Sequence, residues 1–203
     1  MKTASDYLDA NGLQGINIDV REYNPSEQWS RLRNNRRIAP FWKYTGGTMC
    51  HLGYCLLPGR VFGYDKYNAY TNTLSINSTS PSRAIAQAGY VKKIYDQRYP
   101  GTYIAANLLP VFPLFRDMSV TSDVLTYAKV NEDLPLEKQL LPEAYGRLGG
   151  DMVSQATFFI PSSTYVPFYV TPLLSGAGSA VGSVTGKAIA DQRQTESTNR
   201  ILR

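Results

Sequence analysis

The sequence contains very little histidine and cysteine, which limits the metal and disulfide chemistry available to it. Its 203 residues include one histidine, His51, and two cysteines, Cys50 and Cys55. One imidazole cannot provide the histidine pair of many catalytic zinc sites, and a lone Cys-x4-Cys pair is neither a good metal site nor a disulfide framework. We therefore expect reduced thiols, no bound metal and no other cofactor.

Charged residues are also missing from a long stretch near the end of the chain. Between Asp151 and Lys187 the only ionisable side chains are those of tyrosines. Pro161 and Pro167 interrupt the stretch, so it cannot be one continuous membrane span. Its first part is rich in aromatic side chains, which suit an interface with lipid or protein. These aromatic residues include Phe158, Phe159, Tyr165, Phe168 and Tyr169.

Small residues recur at every fourth position toward the end of this stretch. They are Gly178, Gly182, Gly186 and Ala190, and together we call them the glycine ladder. Residues four apart lie on one helical face, and small side chains let another backbone approach closely, as in helices that pack in or against membranes. We predict a helix over residues 171–194 whose ladder packs on a helix of another protein, so that Gly182→Leu lowers incorporation into a complex. The alternatives are packing of the ladder on the chain's own domain and a flexible tail.

The overall composition is that of a folded protein with a mild basic excess. Hydrophobic residues make up 43% of the chain, charged residues make up 18%, and the formal net charge is +5. These values support a hydrophobic core and weakly favour anionic partners. Residues 1–15 lack the basic and then apolar layout of a secretory signal and contain Asp6 and Asp9, so we do not expect secretion.

Cap and turn signals indicate a mainly helical chain with a short strand. Asn24-Pro25 and Ser80-Pro81 each begin a helix, and Leu74 and Ile76 alternate with polar residues as in a strand with one buried face. Residues 44–60 are apolar and rich in glycine, and we expect a buried helix or hairpin there. The predicted fold is mainly α with a short strand or hairpin (α+β). It has an N-terminal arm over residues 1–24, a globular helical domain over 25–150 and a docking extension over 151–203.

A cluster of cations interleaved with aromatic residues follows the first predicted helix start. The cations are Arg31, Arg33, Arg36, Arg37 and Lys43, and we call them the basic patch. In one interpretation the patch is a solvated helix end whose cations suit the helix dipole. In the other it binds lipid phosphates, with Trp29, Phe41 and Trp42 at the depth of the headgroups. Nucleic acid is not expected as a partner, because no recognised fold or stacking motif accompanies the patch.

Three short motifs carry a resemblance to a known family. They are Ala86-Gln87-Ala88-Gly89-Tyr90, Tyr99-Pro100-Gly101-Thr102-Tyr103 and Pro113-Leu114-Phe115-Arg116-Asp117. Their order resembles that of HExxH zinc metallopeptidase-like proteins over roughly residues 36–150. The resemblance implies a metallopeptidase-like helical core.

The resemblance also implies that the metal site is lost. Ala86 and Tyr90 would replace the two zinc-binding histidines, Gln87 would replace the general-base glutamate, and Asp117 would stand at the third ligand. Alanine has no donor atom, an unaided tyrosine is a poor ligand, and an amide cannot accept a proton as a base does. We therefore expect a pseudoenzyme. The alternative is an unrelated helical domain in which Ala86 and Tyr90 belong to an ordinary core-facing stripe.

Together these features predict an architectural function. We expect a non-catalytic accessory or structural subunit of a membrane-associated assembly, with other subunits as partners and a membrane surface or lipid as a further contact. By analogy alone, the setting would be a mitochondrial inner-membrane complex such as a respiratory-chain complex or the ATP synthase. One alternative is an enzyme of non-zinc chemistry with a pocket near Gln87, Tyr90 and Asp117. The other is a peripheral lipid- or nucleic-acid-binding protein that uses the patch from Arg31 to Lys43.

Overall fold

The chain folds into two compact units. The computed structural model describes residues 2–156 and 170–201. The units are Met1–Leu108, which we call unit 1, and Leu109–Arg203, which we call unit 2. The described residues are mainly helical and include a small three-stranded mixed sheet, which confirms the predicted α+β class.

Unit 1 combines short helices with the sheet. In chain order its elements are α1 (Lys2–Ala10), β1 (Asn17–Val20), α2 (Pro25–Asn34), α3 (Pro40–Trp42), a π-helical turn (Lys43–Gly47), α4 (Thr48–Leu56), α5 (Gly59–Phe62), β2 (Lys66–Asn68), β3 (Thr73–Ile76), α6 (Pro81–Tyr95), α7 (Pro100–Ala105) and a 3₁₀ turn (Ala106–Leu108). The two predicted helix starts are confirmed. The side chains of Asn24 and Ser80 accept hydrogen bonds from the backbone N–H groups of Glu27 and Arg83, and thereby cap α2 and α6.

The sheet has one apolar and one polar face. Its strand order is β1-β3-β2, with β1 parallel and β2 antiparallel to β3. Successive residues of a strand point to opposite faces, so Leu74 and Ile76 share one face, and both are buried. On the other face, the register places Asp19 and Lys66 on either side of Ser75. The polar face therefore carries a row of three polar side chains.

The first 24 residues are part of unit 1 rather than an arm outside the core. α1 packs against α6, and Ala4, Tyr7 and Leu8 are buried. β1 then adds a parallel strand to the sheet. The prediction of an N-terminal arm was wrong. Tyr7 and Leu8 lie three and four residues after Ala4, and these three apolar residues are enough to give the short polar helix a core-facing side.

A continuous helical segment from Pro40 to Leu56 packs on the rest of unit 1 through its small residues. A Cβ added at Gly46 would overlap the Tyr70 hydroxyl, and one at Gly47 would lie 2.7 Å from Leu32 Cδ1. Both Tyr70 and Leu32 belong to a buried cluster of unit 1. α4 itself has no buried residue. The expectation of a buried helix was wrong, because the glycines face inward and the large apolar side chains face outward.

The described part of unit 2 consists of three long helices. They are α8 (Phe112–Val130), α9 (Leu134–Ala156) and α10 (Val170–Ile201). α9 continues past Gly149 and Gly150, where we expected the globular domain to end. α10 extends beyond its predicted end near residue 194. The glycines do not end α9, because the structure uses them as contact points for another helix.

The backbones of α9 and α10 touch each other along an antiparallel pair. A Cβ added at Gly178, Gly182 or Gly186 would collide with a carbonyl oxygen of α9. The oxygens concerned, in order along α10, are those of Gly149, Tyr145 and Leu141. Ser175 Oγ adds a hydrogen bond of 3.1 Å to the Gly150 carbonyl oxygen. Residue numbers rise along α10 as they fall along α9, which shows that the helices run in opposite directions.

The glycine ladder therefore packs on α9 of the same chain, and the expected packing on a helix of another protein is corrected. The reason is that α9 carries small residues of its own, Gly146, Gly149 and Gly150, opposite the ladder. Ala190, the last ladder position, is buried as well. The aromatic residues predicted to join the same interface lie outside the described residues. They are Phe158, Phe159, Tyr165, Phe168 and Tyr169.

Gly182→Ala is expected to destabilise the protein, whereas Gly176→Ala is expected to stabilise it. In a helix, alanine is more favourable than glycine by about 1 kcal/mol, and nothing lies within 4 Å of a Cβ added at Gly176. At Gly182 the same methyl group overlaps the backbone of α9, and forcing it in costs about 1–3 kcal/mol. Urea unfolding of the two variants measures both free energies. Equal stabilisation by both substitutions would contradict the close backbone contact.

Candidate functional site

Ala86 and Tyr90, which the resemblance predicts at the two histidine positions, lie one turn apart on α6. Ala86 is buried, and the Tyr90 ring meets the Tyr67 ring edge to face with centroids 6.2 Å apart. Gln87 Oε1 accepts a hydrogen bond of 3.1 Å from the backbone N–H of Tyr67 in β2. Burial raises the pKa of Tyr67, so its phenol stays neutral and donates to Asn72 Oδ1 at 2.7 Å. Gln87 and Tyr90 thus join α6 to the sheet.

Asp117, which the resemblance predicts at the third ligand position, lies in a charged cluster of unit 2. Its carboxylate pairs with Arg116 at 2.6 Å and lies 3.9 Å from Arg147 Nε. Asp151 of α9 is the second carboxyl group of the cluster. The Arg116–Asp117 pair lies within α8, and Arg147 and Asp151 are contributed by α9, so the whole cluster belongs to unit 2. Because two arginines offset two carboxyl groups, the cluster is an internal ion network of the two helices.

One carboxyl group of this network holds its proton more tightly than usual. Burial, together with the neighbouring Asp117, raises the pKa of Asp151 to about 6, although Arg147 and Arg116 act in the opposite direction. The ordinary value is 3.8, so folding favours the protonated form. The resulting contribution to stability is complete below about pH 4 and is lost as the pH rises through the folded-state pKa.

Asp151→Asn is expected to raise stability more at neutral pH than at acidic pH. The amide keeps the shape of the protonated carboxyl group but cannot ionise. It therefore removes the loss of folding stability that the wild type suffers between about pH 4 and pH 7. The free energy of unfolding, measured by urea at both pH values, tests this. Asp191→Asn, at an exposed position of α10, is the matched control and should show no such difference. The prediction fails if the effect of Asp151→Asn is the same at both pH values.

Arg31, the first residue of the basic patch, is used inside unit 1. Its Nη1 lies 2.9 Å from Asp19 Oδ2 and donates to Thr73 Oγ1 at 3.2 Å, while Nη2 pairs with Glu27. Gln28 Nε2 donates to the same Asp19 oxygen at 2.8 Å. Asp19 is buried on the polar face of the sheet. Arg31 therefore neutralises a buried carboxylate and fastens α2 to the sheet.

Two further members of the patch are also engaged, and two are not. Arg37 donates to the Tyr95 carbonyl oxygen at 2.6 Å and lies 4.0 Å from the centroid of the Tyr95 ring. Lys43 is buried, and its Nζ donates to the Arg33 carbonyl oxygen at 2.9 Å. The side chains of Arg33 and Arg36 are exposed, and neither forms an ion pair within the described part of the chain. Two of the five cations are thus available to an outside partner.

Arg31→Met is expected to destabilise the protein by about 1–3 kcal/mol, because it leaves the buried Asp19 carboxylate without its cation. Arg33→Met removes the same group at an exposed position and should change stability by no more than about 0.5 kcal/mol. Urea unfolding at neutral pH compares the two variants. Equal free energies would show that the Arg31 network is not structural.

A pocket over the polar face of the sheet was not predicted from the sequence. It has a volume of about 160 Å³ and is lined by residues that include Lys66, Ser75 and Asn77 from the sheet side and Cys50 and Tyr54 from α4. Asn77 Oδ1 is buried without a hydrogen-bond partner among the described residues. The alternation of polar residues along β2 and β3 was the available signal. Because drug-sized ligand sites begin near roughly 300 Å³, we assign this pocket no ligand.

The single histidine lies one turn before Cys55 on α4. His51 Nε2 is 3.7 Å from Cys55 Sγ, and the imidazole packs against Trp29 with ring centroids 5.2 Å apart. Burial lowers the pKa of His51, so the ring is neutral at neutral pH. His51 Nδ1 has no hydrogen-bond partner within residues 2–156 and 170–201. Because no group orients the ring as a catalytic pair requires, we assign the pair no catalytic role.

The face of α10 opposite the glycine ladder is apolar and exposed. Its residues are Leu173, Ala177, Val181, Val184 and Ala188, and we call them the outer stripe. Val181 is 69% exposed and Val184 is 67% exposed. The steps of four, four, three and four residues are those of a helix that packs along another helix. α9 therefore covers the face of α10 that carries the ladder and leaves the outer stripe exposed.

Neither a membrane span nor a metal cluster is found in the described residues. No helix in residues 2–156 or 170–201 has both the length and the apolar character to cross a bilayer. In the same ranges, no three His, Cys, Asp or Glu side chains converge as a metal site would require. Comparison of the chain with protein-family models, with curated proteins and with solved structures finds no match. The resemblance to the metallopeptidase-like proteins stays a prediction.

Proposed function

We propose that the protein is a non-catalytic accessory subunit of a larger membrane-associated assembly and that the outer stripe of α10 holds it there. The observation that carries the proposal is an exposed apolar stripe with helix-packing spacing on a helix whose opposite face already contacts α9. Large apolar patches on a protein surface commonly mark interaction sites. A helix of a partner subunit is the occupant that this spacing fits.

Burial of the outer stripe would contribute favourable free energy to association. Burying a Leu or Val side chain contributes about 1.5–3 kcal/mol, and Leu173, Val181 and Val184 are largely exposed before binding. Association must offset the loss of rigid-body freedom and of side-chain mobility. α10 is already held by its backbone contacts with α9, so its backbone needs no further ordering. The stripe is thus presented on a rigid support.

The proposed function is non-catalytic because the three residues that the resemblance places at the lost metal site make structural contacts in this chain. Gln87 and Tyr90 both contact Tyr67, and Asp117 pairs with arginines of unit 2. These contacts give no support to an enzyme that uses the three residues. As the setting, we propose the mitochondrial inner membrane by analogy alone.

Val181→Glu is expected to release the protein from its assembly. A glutamate in the middle of the stripe would leave a buried charge in the interface with a partner helix. Native mass in mild detergent extracts of the source, with mass spectrometry of co-migrating proteins, measures incorporation. The wild type should migrate in a large complex, and Val181→Glu should migrate as a free species near 22.6 kDa.

Val130→Glu is the matched control for this experiment. Val130 is 76% exposed at the end of α8, so the same substitution there adds an equal charge away from the outer stripe. This variant should remain in the complex. Migration of the wild type as a free species would refute the proposed function. Equal incorporation of both variants would refute the outer stripe as the contact.

A further inference from the structure

The helical segment from Pro40 to Leu56 presents large apolar side chains to the outside of unit 1. They are Phe41, Tyr44, Met49, Leu52 and Leu56, and we call them the α4 surface. Met49 is 69% exposed and Leu56 is 77% exposed. Val61 and Phe62 of α5, which follow directly, are also exposed. An apolar surface of this extent is unusual on a monomer and indicates an interaction site.

The spacing of the α4 surface places its members on one side of the helix. The steps between successive members are three, five, three and four residues. The step of five, from Tyr44 to Met49, crosses the π-helical turn Lys43–Gly47. A π-helical turn is wider than an α-helical turn and accommodates one more residue, so the five-residue step keeps both side chains on the same side. The opposite side contains Gly47, which contacts Leu32.

The formal charge of the chain segment that carries the α4 surface is of one sign. Between Glu27 and Asp65 the sequence contains no acidic residue, although it contains six basic ones. Of these, Arg33 and Arg36 have exposed side chains. Arg33 lies beside the start of the segment, because its carbonyl oxygen accepts the hydrogen bond from Lys43 Nζ. The apolar surface thus has exposed cations near its Pro40 end, whereas the exposed Glu22 lies beside Tyr54, whose hydroxyl donates to the Glu22 carbonyl oxygen.

We infer that the α4 surface binds an anionic phospholipid bilayer. Apolar side chains enter the boundary between headgroups and acyl chains, and the arginines pair with lipid phosphates, as in helices that lie on a membrane surface. The inference names the membrane contact of the proposed function and does not depend on the outer stripe.

Vesicle binding of the isolated full chain tests the inference. The probes are vesicles of phosphatidylcholine alone and vesicles of equal parts phosphatidylcholine and phosphatidylglycerol, in a sedimentation assay at low salt. Each arginine near an anionic surface strengthens binding roughly fivefold. We expect the wild type to bind the anionic vesicles at least about tenfold more tightly than the neutral ones.

Two double variants separate the apolar and the charged contributions. Leu52→Glu with Leu56→Glu changes exposed positions to a good helix former and should abolish binding to the anionic vesicles. Arg33→Gln with Arg36→Gln should weaken binding roughly 25-fold and reduce its dependence on salt. Circular dichroism melting of each variant verifies that it folds. Val181→Glu, on the outer stripe, is the control and should bind vesicles like the wild type.

Three results of the vesicle assay would overturn the inference. They are equal binding of the wild type to both vesicle types, absence of binding to either, and unchanged binding by the Leu52 and Leu56 variant. A dimer in sedimentation equilibrium that this variant dissociates would assign the α4 surface to a second copy instead, and would also overturn it. Because the vesicle assay uses the isolated chain and the native-mass assay uses an extract, failure of one proposal is distinguishable from failure of the other.

Discussion

Direct backbone contact between α9 and α10 determines which surface of unit 2 is available to a partner. Gly178 and Gly182 of α10 approach carbonyl oxygens of α9 so closely that not even a methyl group fits between them. This close approach forms many weak van der Waals contacts along the helix pair, and it occupies the face of α10 that carries the glycine ladder. The opposite face, with Val181 and Val184, remains exposed and is therefore accessible to a binding partner.

In unit 1, too, glycines face the interior and large apolar side chains are left exposed. Gly46 and Gly47 bring the segment from Pro40 to Leu56 against Tyr70 and Leu32, so the large apolar residues of the segment point away from the core. The buried Asp19 carboxylate binds Arg31 and draws α2 onto the polar face of the sheet. In both units small or paired residues are inside, and apolar residues that a core would accept are left exposed.

The parts of the fold that were predictable have strong local causes. The helix starts at Asn24-Pro25 and Ser80-Pro81 are set by a side chain that accepts a neighbouring N–H, which is a property of a few adjacent residues. α1 and β1 were missed because their burial depends on α6 and β3, which are distant in the sequence. The same holds for the candidate sites. The sequence shows that the basic patch contains no acidic residue. Only the fold shows that Arg31 forms an ion pair while Arg33 is exposed.

By itself the sequence determined the α+β class, the scarcity of metal-ligating side chains and the presence of a helix with one face of small residues, because composition and spacing along the chain are sufficient for each. It did not determine the partner of that face. A glycine ladder packs equally well on any helix with small residues at matching positions, and its own chain supplies one in α9. Only the tertiary structure could decide this, since the choice depends on which backbone lies within reach. The packing on α9 leaves the outer stripe of α10 as the exposed apolar face of that helix.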